Sequence, residues 1–419
     1  MISKQIFTKQ LILNWITRIL FFTSLSGLLP ALPQYVIDIG GSYAQTGIVM
    51  SAFAVGVLVF RPLVGRQIDR VGRKAILLFG ILVFVISPVV YIFVHSIHSL
   101  LPVRVFHGLG LAAFGTASIT LITDAAPEAN RGEVISYTGM VNTVAFAFGP
   151  VVGFSVWEKW GYTTLFSFVA GLSLLCLFFS IFLRETKTER DHAVPRPYFA
   201  TIKQRKVLVA ALMILLVALV HGGVMFYMPI FLKGLHTNIG FFFTVYGISA
   251  FIIRLFVGPV SDRIGRGPLV VFSLSILAVG VFTLSHTAGV GLMFLSAVLY
   301  GVGFGAHQPT LTALVADNTT EETRGQVFSF YYGGFDLGVS VAGVVLGLVA
   351  EKFGIKSMFM VCSGLAIAAL LLFVTIIESR VATSLRFAFS VQKEGEKCVI
   401  CDQFQEVAPE QAEEYFKSH

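Results

Sequence analysis

The chain has 419 residues, is 56% hydrophobic and 13% charged, and carries a formal net charge of +7. That charged share is about half that of a soluble globular domain, and a mean hydropathy of +0.83 points to a chain that lives in lipid. Four cysteines (Cys176, Cys362, Cys398, Cys401) give no disulfide framework, and the basic residues sit in short loops between apolar runs, which fits membrane topology better than nucleic-acid binding.

Apolar runs of about 20 residues, the length that crosses a bilayer, follow one another along the chain. Span 1 runs from Leu11 to Pro33, is interrupted by Asn14 and Arg18, and reads as a retained first helix with no clear cleavage site. A polar loop, Gln34–Gln45, leads to span 2, Thr46–Val64. A basic, glycine-punctuated turn follows, Gly65–Lys74 (GRQIDRVGRK), and then span 3, Ala75–Val94. Span 4, Leu101–Asp124, holds Arg104 and His107. Loop Ala125–Glu133 joins span 5, Val134–Val156; the aromatic turn Trp157–Tyr162 suits the headgroup level, and span 6 ends at Leu183.

Arg184–Lys206, polar and carrying Pro195 and Pro197, reads as a linker. The second half repeats the plan, with spans near Val207–Phe231, Gly240–Val257, Leu269–His286, Gly289–Ala316, Val327–Ala350 and Ser357–Ile377. The expected organisation is an N-terminal six-helix bundle (1–183), a linker (184–206), a C-terminal six-helix bundle (207–378) and a soluble-looking tail (379–419).

The two halves share one register. GRQIDRVGRK at Gly65 returns as GPVSDRIGRG at Gly258, 193 residues on. The same offset carries Arg61 to Arg254, Asp69 to Asp262, Gly72 to Gly265, Arg73 to Arg266, Gly108 to Gly301, Gly110 to Gly303 and Asp124 to Asp317. Charged residues at constant spacing mark a duplicated membrane domain, as in transporters built from parallel repeats. With the N-terminus inside, the inner segments hold nearly all loop Lys and Arg, whereas the outer ones hold only Lys159, Lys233, Lys352 and Lys356. Both termini, the linker and both repeated turns are thus expected in the cytoplasm.

The repeated GxxxDRxGRK turn resembles the signature loop of the major facilitator superfamily, with Gly267 replacing the last Lys in the second copy. Arg104 to Gly110 resembles that family's RxxxGxG motif of the fourth span, with His107 where Gln is common. Gly149, Pro150 and Gly153 resemble its GPxxG motif of the fifth span, associated with antiporters, although Ala145 and Phe154 stand where glycines are frequent. Leu29-Pro-Ala-Leu-Pro33 is similar to twelve-span drug-efflux members. The resemblance implies an all-α membrane protein of twelve helices in two six-helix bundles, rocking around a central cavity. It also implies that Arg73–Asp124 and Arg266–Asp317 act as cytoplasmic latches, with Arg70 in the same turn, that break when that side opens.

Independently, Gly65 and Gly258 are suited to close helix approach, and Asp69 to the positive end of a helix dipole. Charges inside spans are costly when unpaired in lipid, which singles out Arg18, Arg61, Arg104, Arg254 and Asp336. Asp336, a lone carboxylate among glycines, is a candidate for proton coupling or binding of a cationic substrate; the alternative is a structural hydrogen bond. Arg104 resembles the fourth-span arginine that the family uses near proton transfer. Arg61 and Arg254, each eight residues before its signature Asp, read as a structural pair. Arg18 either faces the cavity or snorkels. His107 and His221 are candidates for titration near neutral pH, with a buried, satisfied histidine the favoured alternative; Asn142 and Gln308 are candidate cavity groups, and Asp38 is either a solvated loop residue or a place where protons enter.

No P-loop, Ser-His-Asp or metallohydrolase motif stands out, so neither ATP, another cofactor nor enzymatic activity is expected. Cys398 and Cys401 form a CxxC that supplies two of the four ligands a structural zinc needs, a weak metal candidate. The expected function is secondary transport, with proton-coupled efflux of a small organic compound across the cell membrane favoured. Proton-coupled uptake of a sugar or organic acid, and a transport-inactive sensor acting through the tail, are the alternatives. The expected partners are lipid, a small-molecule substrate and protons.

Overall fold

The computed structural model describes residues 8–126, 131–186, 205–235, 239–319, 324–377 and 381–389. Helix α1 (Lys9–Gly27) starts where the Thr8 hydroxyl accepts the Leu11 amide at 3.3 Å. The sequence 28–31 interrupts it, because Pro30 has no amide to continue the ladder, and a short α2 (Leu32–Asp38) completes the first crossing. Ser42 and Gln45 form a reciprocal capping box at the start of α3 (Tyr43–Val71). There follow α4 (Arg73–Phe93), α5 (Ile97–Ala125) and α6 (Arg131–Ile181). The second half comprises α7 (Arg205–Gly234), α8 (Ile239–Ile264), α9 (Arg266–Ser285), α10 (Val290–Asp317), α11 (Arg324–Phe353) and α12 (Ile355–Ile376), with a short α13 (Val381–Phe389) after it.

Single glycines end four of these helices or limbs. Gly72 (φ 112°) divides α3 from α4, and Gly265 (φ 91°) divides α8 from α9. Gly161 (φ 81°) folds α6 into two limbs, and Gly354 (φ 84°) divides α11 from α12. These are repeat mates at the 193-residue offset, and each uses a left-handed conformation that only glycine adopts at little cost. Among the described residues, eleven apolar helices are long enough to cross a membrane; the Gly161 fold makes one of them two crossings. The fold is the expected all-α arrangement of two six-helix bundles.

Within the N-terminal bundle α1 packs on α6, and α5 on α3 and α4. Phe21 stacks on Phe114 at 3.7 Å in its core. Gly149 faces Ser26, and Gly153 lies so close to the Gly27 backbone that a side chain there would collide with it. The antiporter-type glycines with Pro150 therefore belong to the α1–α6 seam. Gly108 and Gly110 do the same for α5 against α3 and α4. The halves meet along two seams, α3 with α11 and α6 with α8.

The signature stretch is not a ten-residue turn. Helix α3 continues through it to Val71, because its residues are good helix formers, and only Gly72 breaks the chain. Gly65 and Gly258 approach nothing: the space within 4 Å of a Cβ at either is empty. Asp69 lies in the last turn of α3, a helix C-terminus and not an N-terminus. The carboxylate at the N-terminus of α4 is Glu185, which accepts the Arg73 amide at 3.0 Å and the Lys74 amide at 2.9 Å. The first part of the supposed soluble tail, α13, is docked on the bundle. It lies against α9 and α12, and a side chain at Gly267 would collide with the Phe387 carbonyl. Gly267 stands in place of the Lys74 equivalent because α13 occupies that space. Cys398 and Cys401 lie outside the described residues.

Contacts between the halves concentrate at the end remote from the signature stretches. There Gly47 and Gly343 bring α3 and α11 into backbone contact. Tyr227 Oη donates to the carbonyls of Gly343 (3.0 Å) and Tyr43 (3.1 Å), and the Ala44 amide donates to Glu351 at 3.0 Å. Asp38 accepts from Tyr162 at 2.7 Å and from Gln34 at 2.8 Å within its own half, and pairs with Lys233 of the other half at 3.1 Å. Asp38 is therefore a bridging residue, which neither sequence reading anticipated.

Candidate functional site

Seven polar residues on six helices occupy one level. Arg18 (α1), Arg61 (α3), Asn142 and Thr143 (α6), Arg254 (α8), Gln308 (α10) and Asp336 (α11) each lie about ten residues from the signature end of their helices. At 1.5 Å per residue that is roughly 15 Å, or half of a 30 Å hydrocarbon layer. Irregular sequence does not explain the coincidence; convergent helices at the repeat interface do.

Asp336 is not a lone carboxylate. Its Oδ2 lies 2.6 Å from Arg61 Nη1, an ion pair that joins α11 to α3 across the halves. A bilayer interior does not solvate a bare charge, so the two groups meet. Arg61 and Arg254 do not pair with each other; each reaches the opposite half. Arg254 donates through Nη1 to Thr143 Oγ1, through Nη2 to Gln308 Oε1 at 2.9 Å, and through Nε to the Gly305 carbonyl at 3.4 Å. The offset of 193 that carries Arg61 to Arg254 also carries Thr143 to Asp336. The two cross-half contacts are repeat mates, with a carboxylate in one and a hydroxyl in the other. Thr143 escaped sequence reasoning, although applying the offset to Asp336 would have found it.

Arg18 does not snorkel. It is 5% exposed and donates to Asn142 Oδ1 at 3.1 Å and Ser118 Oγ at 2.9 Å, with Ser118 in turn donating to Asn14 at 2.7 Å. Asn142 and Thr143 are consecutive on α6, so Arg18 and Arg254 approach adjoining positions of one helix. Sequence reasoning named Arg18, Asn142, Arg254 and Gln308 separately; the structure brings them together.

Arg104 and His107 lie apart from this layer, on α5 toward the remote end. Arg104 donates to the Val49 carbonyl at 3.3 Å and stacks over Phe53 at 4.6 Å. His107 is fully buried, shares a 2.9 Å hydrogen bond with Tyr91 Oη, and packs edge-on against Phe84. His221 is likewise held by Tyr300 Oη at 2.8 Å, stacked on Phe304.

At the signature end, Arg73 Nε meets Asp124 at 3.2 Å and Arg266 Nε meets Asp317 at 3.0 Å; Arg266 also pairs with Asp262 at 2.6 Å. Arg70 is exposed on the last turn of α3. Both pairs are formed in this structure, and the hydrogen bonds and ion pairs between the halves named above lie at mid-depth or beyond it. Each pair joins neighbouring helices of one half, so separating the halves does not pull it apart.

The sequence profile of the Major Facilitator Superfamily matches residues 15–238 and again 235–401. The chain belongs to the Major Facilitator Superfamily. As a member it is a multi-pass membrane transporter and not an enzyme. It is 25% identical over 372 residues to the staphylopine export protein of Staphylococcus aureus (strain Mu50 / ATCC 700699), covering 85% of this chain and 94% of that one. It is 24% identical over 377 residues to the multidrug resistance protein MdtG of Klebsiella pneumoniae (strain 342), covering 86% and 91%. The superfamily fold also appears in the nucleoside transporter NupG (TM-score 0.74, 14% identity, 89% and 100% covered). The human organic anion transporter MFSD10 shares it too (TM-score 0.67, 18% identity, 87% and 98% covered).

Proposed function

We propose that this superfamily member is a proton-coupled exporter of a small organic compound in the cell membrane, working by alternating access. The single observation that carries the coupling is the Arg61–Asp336 ion pair, which joins the halves at mid-depth. Among the described residues, Asp336 is the one carboxylate away from helix ends. Protonation neutralises it and removes its attraction for Arg61, which frees one of the two mid-depth contacts between the halves. Export as the direction is supported by relatives named as an exporter and as a multidrug resistance protein.

On this reading the signature end is cytoplasmic, as the loop Lys and Arg favour, with 184–206 as the cytoplasmic linker between bundles. The structure is then the inward-facing state, closed outside by Gly47–Gly343 and Lys233–Asp38. Arg73–Asp124 and Arg266–Asp317 stiffen the cytoplasmic rims that meet in the other state.

The test is proton-gradient collapse in everted vesicles, scanned over lipophilic cations, antibiotics, sugars and organic acids, with Asp336→Asn alongside. Collapse by a compound with the wild type, and not with the variant, is expected. Collapse by both proteins would remove Asp336 from the coupling role, and substrate flux with no proton movement would overturn coupling altogether.

A further inference from the structure

Among the described residues, four arginines lie within the spans away from helix ends, Arg18, Arg61, Arg104 and Arg254, against one carboxylate, Asp336. Asp336 is committed to Arg61. The other three arginines meet neutral partners only: Asn142 and Ser118 for Arg18, the Val49 carbonyl and Met50 sulfur for Arg104, and Thr143, Gln308 and the Gly305 carbonyl for Arg254. Among the described residues, none of the three lies within 4.0 Å of a carboxylate. The interior is therefore fixed positive by three charges.

Burying a charge without a counter-ion is among the costliest arrangements in a membrane. Aromatic faces offset part of it for Arg104 over Phe53 at 4.6 Å and for Arg18 over Phe22 at 5.2 Å. Among the described residues, no aromatic face lies against Arg254 in this way. Arg254 is also half-buried at the seam between the halves, where a substrate has to pass. A guanidinium carries five N–H donors in a planar fork, and three are engaged, which leaves two for a ligand. That fork matches the two oxygens of a carboxylate or phosphate. Arg18, behind Asn142 on the adjoining position of α6, adds to the same field in a low-dielectric surround.

Resting on the export reading above, we infer that the substrate is anionic, a small organic compound whose carboxylate or phosphate group is held by Arg254 with Arg18 behind it. A lipophilic cation meets net repulsion at this level, and a neutral compound leaves the charges unmet. Because Arg254 and Thr143 belong to opposite halves, a bound oxyanion draws on both. An inside-negative membrane potential drives an exported anion outward, so substrate charge and direction agree.

The test compares the medium of cells that express the chain with that of cells that lack it. Chain-dependent compounds are separated on anion and cation exchangers at neutral pH, and mass spectrometry distinguishes carboxylates from phosphates. The same comparison is made for Arg254→Gln, Arg254→Lys and Arg18→Gln, each first checked for membrane insertion and monodisperse purification. Retention of the chain-dependent compound on the anion exchanger is expected, with export reduced about tenfold or more in Arg254→Gln, the scale of a lost charged hydrogen bond. Arg254→Lys, which keeps the charge and loses the fork, is expected to retain part of the export. Compounds retained on the cation exchanger, or unchanged anion export in both Gln variants, would overturn the inference and leave export standing. No chain-dependent compound in the medium would overturn the export reading itself, and the inference with it.

Discussion

Replacing Gly343 by Val is expected to open the end of the molecule that is closed here. A Cβ at Gly343 would overlap the Gly47 carbonyl, and both sides of that contact are backbone. No side chain can rotate away, so α3 and α11 must separate. Overpacking of this kind costs about 1–3 kcal/mol. Separation also strains the Tyr227 hydrogen bonds to Gly343 and Tyr43 and the Ala44–Glu351 bond, at about 1 kcal/mol each when lost. About 4–6 kcal/mol in all corresponds to a shift in population of about a thousandfold or more. The assay is labelling of Ala44→Cys by an impermeant maleimide, with Cys398 and Cys401 replaced by Ser. Cys176 and Cys362 are buried and stay. Gly65→Val is the control, since α3 has open space there; its labelling is expected at or below the parent rate. A monodisperse Gly343→Val protein that labels like the parent would refute the claim that this glycine contact holds the end shut.

Asp124→Asn is expected to lower the thermal stability of the purified protein by about 3–5 kcal/mol, because Arg73 beside it is 4% exposed and is left as a buried charge. Asp317→Asn, whose side chain is 51% exposed, is expected to cost about 1 kcal/mol or less in the same melt. Gly267→Leu is expected to undock α13, seen as faster tryptic cleavage at Arg386, whereas Lys74→Leu on α4 leaves that cleavage unchanged. Thr143→Asp restores the carboxylate that Asp336 provides in the other seam; it is expected to neutralise Arg254 and to abolish export of the anionic compound while the protein remains monodisperse, and undiminished anion export would refute this.

The fold was legible because two signals are strong in one sequence. Bilayer thickness sets the length of every span, and duplication repeats the charged positions at one offset. What escaped was local and geometric. Helix formers between Gly65 and Val71 carry no mark that distinguishes a loop from a helix running out of the membrane. Glu185 looked like linker because nothing in its neighbours reveals that α4 begins beside it in space. Asp336 looked alone because its partner, Arg61, is 275 residues away on the other half. The charged residues of the site were legible as costly, but which of them meet is decided by how two bundles lean together. The offset limits even that: it could have linked Arg61 and Arg254 to their seams through Asp336 and Thr143.

The duplication gives both seams an arginine at the same depth, and the partners then diverge. On the reading proposed above, this divergence is what lets one scaffold carry two charges for different ends. Two carboxylates would neutralise both arginines, leaving an interior that protons could switch but that offered an anion nothing. Two hydroxyls would leave both arginines charged, attractive to an anion but without a group that a proton releases. Asp336 opposite Arg61 supplies the proton-sensitive contact, and Thr143 opposite Arg254 leaves a fork charged and only partly occupied. Because both contacts cross between the same two halves, a proton at one and an anion at the other act on a single movement, which is the condition for coupling their fluxes.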